Sequence, residues 1–264
     1  MFSFMNNFGD DTLGVEDAKI LKLSPTFNNK NSLEFQIGRD KRFLKLADTE
    51  LVIEVEIPAS YAPDNDFGSK LFENCEVSIN HEMVTKKSTA LDYSVTNWVL
   101  NKCAFDDSYV MSTMDINGWF DSGSFDKTEI LLTRIDRAKS AESFTRTIEH
   151  EGVLYNFPMN RYYLTIPINT GLARTTDVLP PESTVSIRFQ RAPANFGILK
   201  ISDDVSLTKK SDGTKLDLPF TYPEAVIPIK NAYLSVYYAN SPELQAQFSR
   251  LGRSNLEIPF MGKN

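Results

Sequence analysis

Histidine and cysteine are scarce in this chain, two of each in 264 residues. A metal centre needs several convergent ligands, so His81 and His150 offer too little for one. Cys75 and Cys103 lack a CxxC partner or a disulfide framework and read as reduced small hydrophobes in an intracellular setting. No apolar run approaches the length of a membrane span. Met1 to Asp11 has neither a basic region nor an apolar core, so no signal peptide is visible. Positive charge is short as well: the net charge is −7 and the pI about 5.0. A chain that wraps nucleic acid needs a concentrated basic surface, and direct nucleic-acid binding is not expected. Also missing are a Gly-rich phosphate loop, a His-x-x-x-His pair and a nucleophile elbow. Asp106-Asp107 and Asp203-Asp204 lack the spacing of a calcium loop and read as solvated turns. No catalytic, cofactor-binding or metal-ligating residue emerges, no cofactor is expected, and the chain is not read as an enzyme.

Aromatic residues, by contrast, are plentiful, with 18 Phe and 10 Tyr. Such rings suit sheets, where they pack across strands, and the chain holds several stretches of period-two alternation, which buries one face of a strand and wets the other. Leu33, Phe35 and Ile37 alternate with Glu34 and Gln36. After a short extended piece at 41–46, Leu51, Ile53, Val55 and Ile57 alternate with Val52, Glu54 and Glu56. Cys75, Val77 and Ile79 follow, and Asn80-His81 sits at a hairpin turn because Asn tolerates a left-handed backbone. Further strands are expected at Tyr162 to Ile168, Val185 to Phe189 and Ala232 to Tyr238, with Tyr162-Tyr163 and Tyr237-Tyr238 as packing aromatics. Val205 and Leu207 face Leu216 and Leu218 across an Asp212-Gly213 turn.

Helical signals are fewer. One amphipathic helix is expected at 88–102, and a second, of mixed periodicity, from Ile130 to Ser143. A third starts at Ser241-Pro242, with Ser as cap, Pro at the first helical position and Gly252 as the stop. Loops are expected at 58–68, 106–126 and 193–223. Eight or nine strands without a βαβ rhythm imply an all-β fold, an antiparallel eight-stranded jelly-roll sandwich with helical and long-loop insertions. The domain plan is an N-terminal arm at 1–24, a jelly-roll barrel at 25–240, and a C-terminal helix and linker at 241–264.

Several of these stretches together resemble the major capsid proteins of Polinton/Maverick elements and adintoviruses. The likeness runs through Leu33 to Ile37, Phe43 to Ile57, Leu71-Phe72, Cys75 to Asn80 and Leu91-Asp92-Tyr93. It resumes at Leu179-Pro180-Pro181-Glu182, Val185 to Ala192 and Ile229 to Val236. The resemblance implies a double jelly-roll capsomer, two upright eight-stranded barrels per chain forming a pseudo-hexagonal trimer. This chain is about half the length of such a protein, and Asn255 to Pro259 looks like the start of a second barrel.

The leading reading is therefore a structural protein of a virion capsid, made in the cytoplasm or nucleus of a host cell. It associates with itself as a homo-oligomer, a trimeric capsomer by the resemblance, and with other capsid components. Apolar residues at the termini and in the 106–126 loop are the expected assembly contacts: Phe2, Phe4, Trp119, Phe120, Leu244 and Phe248. The alternative is a β-sandwich binding module that holds a carbohydrate or protein receptor in its loops, since one fold serves both roles.

Overall fold

A computed structural model describes residues 17–64, 66–85, 132, 135–136, 138–139, 141–150, 152–168, 178–193, 197–201, 207–209, 211, 213, 215–216 and 227–251. The first strand is β1 (Asp17–Leu23), followed by β2 (Phe27–Asn28), β3 (Ser32–Ile37), β4 (Phe43–Pro58) and β5 (Tyr61–Pro63). A short helix α1 (Phe67–Lys70) leads to β6 (Phe72–Ile79) and β7 (Glu82–Met83). The second half holds β8 (Glu142–His150), β9 (Val153–Pro167), β10 (Val185–Arg191), β11 (Ile198–Lys200), β12 (Leu207–Lys209), β13 (Lys215–Leu216) and β14 (Ile229–Asn240). Helix α2 (Pro242–Leu251) follows directly on β14.

Twelve of these strands form two facing sheets, and β5 pairs with β11 in a separate two-stranded one. One runs β1-β14-β4-β9 and continues to β12 and β13, with β8 also paired to β9; the other runs β2-β3-β10-β6-β7. The jelly-roll order is explicit in four nested antiparallel pairs: β1 with β14, β3 with β10, β4 with β9, and β6 with β7. Cross-pairs of β14 with β4 and of β10 with β6 close each sheet. The chain is thus a long antiparallel ribbon rolled upon itself, as alternation without βαβ units implies.

The alternation in the sequence is the burial pattern. Along β10, Val185, Ile187, Phe189 and Arg191 are buried while Ser186, Arg188 and Gln190 are exposed. Leu33, Phe35 and Ile37 on β3 meet Leu51, Ile53, Val55 and Ile57 on β4 in one core cluster. Phe189 anchors it, edge-on to Phe35 at 6.3 Å and tilted against Phe72 at 5.1 Å between ring centroids. Such ring pairs add to the area that burial removes from water. Cys75 lies in the same core. At the end of β6, Asn80 (φ 49°) and His81 (φ 72°) both take the left-handed conformation, and Ile79 pairs with Glu82 across them. That is the two-residue turn whose twist matches the flanking strands.

Several expected boundaries shift. The extended piece at 41–46 and the alternating stretch from Leu51 to Ile57 belong to one strand with a bulge between them. Lys45 pairs with Tyr237 and Glu50 with Ser235, so 46–49 stand against Val236 alone. Thr49 Oγ1 donates to the Lys45 carbonyl at 3.1 Å and Lys45 Nζ meets Asp48 at 2.7 Å, which closes the bulge. The expected loop at 58–68 carries β5, paired with β11 from the other expected loop, and α1, whose Phe67 packs edge-on to Tyr162 at 5.9 Å. Residues 132, 135–136 and 138–139 are helical, but the charged stretch from Glu142 to His150 is a strand, β8, turning at Gly152 (φ 74°) into β9. Within 1–24, β1 is a full member of the sheet. Leu207 pairs with Leu216 as expected, while Val205, Asp212 and Leu218 lie outside the described residues. The helix expected at 88–102 and the loop at 106–126 lie outside the described residues.

Candidate assembly surface

Each sheet has an outer face, and the two differ in chemistry. Across β3, β10 and β6, the outward side chains line up in cross-strand rows set by the register. In one row Arg188 stands between Glu34 and Glu76, 3.1 Å and 3.8 Å away. In the next, Asn74 Nδ2 donates to Gln190 Oε1 and Gln190 Nε2 donates to Glu73 Oε2, each at 3.0 Å. A third row, Gln36, Ser186 and Ser78, carries no charge.

The other sheet carries an ion cluster spanning four neighbouring strands. Glu56 on β4 receives Arg161 from β9 at 3.0 Å, Arg146 from β8 at 2.5 Å and Lys230 from β14 at 3.5 Å. Arg161 also meets Glu54 at 3.0 Å and Glu142 at 3.3 Å, and its guanidinium lies 4.7 Å from the Phe144 ring centroid. The Tyr163 hydroxyl donates to Glu142 at 3.2 Å. Three carboxylates (Glu54, Glu56, Glu142) balance three cations (Arg146, Arg161, Lys230). Glu56 is only 4% exposed. Burial alone would raise its pKa, but the hydrogen bond from Arg161 and the charges of Lys230 and Arg146 outweigh it and hold it below the usual carboxylate range. The Arg161 guanidinium is held above its ordinary value, first by its bond to Glu56. Glu50, on the same outer face beyond the bulge, moves the opposite way: burial, then the charge of Asp48, raise it. Burial also raises Tyr238, whose ring lies in the core.

Sequence reasoning named Glu54 and Glu56 only as the wet side of a strand and did not mention Arg161. The one available signal was that two glutamates at alternate positions share a face.

The apolar residues singled out as assembly contacts fall into two groups. Phe2, Phe4, Trp119 and Phe120 lie outside the described residues. Leu244 and Phe248 are described, and they pack on their own barrel. Leu244 is 7% exposed in a cluster with Phe43 and Val178, and the Phe248 ring stands edge-on to Phe43 at 5.9 Å. The Ser241 carbonyl accepts the Gln245 N–H at 3.0 Å, whereas the Ser241 hydroxyl, expected to cap α2, makes no hydrogen bond among the described residues. The side of α2 open to solvent carries Pro242, Gln245, Ala246 and Ser249. Elsewhere Ile20 on β1 (66% exposed) and Tyr163 on β9 (62%) are the most exposed large apolar side chains among the described residues.

Among the described residues no three or more His, Cys, Asp or Glu converge to hold a metal, and no helix is long and apolar enough to cross a membrane.

No family model matches the chain, and no curated protein matches it. Solved structures do. A crystal structure of PBCV-1 VP54, fitted into a cryo-EM reconstruction of the virophage Sputnik, matches at 13% identity and a TM-score of 0.41, over 90% of this chain and 45% of that one. A quasi-atomic model of the PBCV-1 virus capsid matches at 12% and 0.39, over 88% and 44%. The Faustovirus major capsid protein matches at 8% and 0.43, over 89% and 56%. The chain therefore spans about half the length of the chains it matches.

Proposed function

We propose that this chain is a structural capsid subunit whose activity is self-association. The observation that carries the reading is the nested jelly-roll order of its strands around a core of packed side chains. Such a sandwich is stiff, and it leaves its outer faces, loops and termini to make contacts. Fold alone does not fix function. What adds weight here is that the strand sequences resembling Polinton/Maverick and adintovirus capsid proteins are the strands of this barrel: Leu33 to Ile37 is β3, Phe43 to Ile57 lies in β4 and Val185 to Arg191 is β10.

On this reading the protein resides in a virion capsid and is made in the cytoplasm or nucleus of the host. It forms a trimeric capsomer with two barrels per subunit, the strands from β1 to β14 making one of them, and leaves nucleic acid to another component. On the same reading the N-terminal arm contributes to the contacts between subunits. Negative-stain microscopy of the purified chain tests this: trimers, hexagonal arrays or shells are expected. Deletion of Met1 to Asp11 is expected to weaken them.

A further inference from the structure

The third cross-strand row, Gln36–Ser186–Ser78, differs from its two neighbours in one physical respect. The Glu34–Arg188–Glu76 row closes on itself with ion pairs, and the Asn74–Gln190 row with amide hydrogen bonds. In the third row the side chains of Gln36, Ser186 and Ser78 have no partner among the described residues. The two serines of the row are too short to fill the space beside Gln36. A cleft of about 240 Å³ opens there, lined by Gln36, Ser78, His81, Thr184, Val185 and Ser186.

The far wall of the cleft is held rigidly. His81 sits in the left-handed second position of the Asn80-His81 turn. That turn is tied to β10 by Asn80 Oδ1, which accepts from the Thr184 N–H at 3.0 Å and from its hydroxyl at 3.3 Å, and by the Asn80 N–H, which donates to the Thr184 carbonyl at 2.9 Å. The His81 ring nitrogens are without a partner among the described residues.

None of the six lining residues is Asp, Glu, Lys or Arg. Water meets these hydroxyls, amide and imidazole in the free protein, and a ligand gains only if it reproduces those hydrogen bonds. An apolar ligand would strand them, and an ionised one would find no counter-charge in the lining. A ring of hydroxyls meets both conditions. At about 240 Å³ the cleft is smaller than most ligand pockets, which suits one small ring rather than an extended ligand. We propose that this cleft binds a single neutral sugar unit, with Gln36, Ser78, Ser186 and His81 as its hydrogen-bonding contacts. The inference goes beyond the assembly reading and stands whether or not the chain assembles.

The test is titration of the isotope-labelled full chain with neutral hexoses and their methyl glycosides, read by amide shifts. Saturation transfer to the sugar serves if the chain forms large particles. Shifts confined to residues 36, 78, 80–81 and 184–186 are expected, with a dissociation constant on the order of 1 mM for so shallow a site. Gln36→Ala and His81→Asn, the latter keeping a residue that tolerates the turn, should each weaken binding about tenfold. Glu34→Gln in the neighbouring row should leave it unchanged. A response to methyl glycosides marks a glycan-terminal unit as the ligand, and a response to reducing sugars alone marks a free sugar. No response from any sugar up to about 50 mM, or binding that survives both substitutions, overturns the proposal.

Discussion

Glu56 shows how much one side chain joins in this barrel. Its carboxylate is nearly buried, yet it is met by cations from β8, β9 and β14, so four strands of one sheet are linked through one group. Glu56→Gln removes the charge that those cations face. The substitution is expected to cost about 2 kcal/mol at neutral pH, the scale of charge-assisted hydrogen bonds lost from a buried group. Chemical denaturation of the two proteins measures it. The pH dependence has a definite sign. Because the folded pKa of Glu56 lies below the ordinary 4.5, its contribution is complete above that value and is lost as the pH falls through the folded value. The wild-type advantage over Glu56→Gln should therefore be full at pH 7 and shrink below about pH 4.5. Glu50 behaves in the opposite sense. Its folded pKa is raised, so its ionised form is the penalised one, and stability is gained as the pH falls through the raised value. Glu50→Gln is expected to leave stability at pH 7 unchanged or to raise it by up to about 1 kcal/mol.

At the scale of elements, what the sequence displays is burial on one face, and where that signal is strong the strands lie where alternation puts them. β3, the 51–57 part of β4, β10 and the core of β14 are of this kind, because each has a dry face against the opposite sheet. β8 is not. It lies at a sheet margin, paired to β9, and its outward residues include Glu142, Thr145, Thr147 and Glu149, so its composition mimics a solvated helix or loop. The bulge at 46–49 hid the continuity of β4 in the same way, by breaking the period at one point. The ion cluster was illegible for a different reason. Glu56 is 90 residues from Arg146 and 105 from Arg161 in the chain, and only the rolled topology brings them together. Helix α2 gives a test at this scale. Leu244 and Phe248 attach it to Phe43 and Val178, so Leu244→Ala should cost about 2 kcal/mol through lost packing. Hydrogen exchange should show the α2 amides opening faster while those of β4 and β10 keep their protection; uniform loss across the barrel would mean that α2 is part of the main core.

For the whole molecule, the nested pairs set both the shape and the function proposed from it. The first strand pairs with the last, Asp17 opposite Asn240, so the barrel closes only when distant segments meet. Such non-local topologies fold slowly but give a stiff body. Most large apolar side chains of the described part of that body lie inside, with Ile20 and Tyr163 among the exceptions, and the outer faces carry ion pairs and neutral polar groups. Solvated faces, paired internally in the ion cluster and in two of the three rows, argue for lateral contacts through loops, termini and margins rather than through the sheet faces themselves. The central claim is self-association, and sedimentation velocity of the purified full chain across a wide concentration series tests it most directly. The account predicts a concentration-dependent shift to trimers or larger assemblies; a single monomeric boundary that persists at the highest concentration would contradict it.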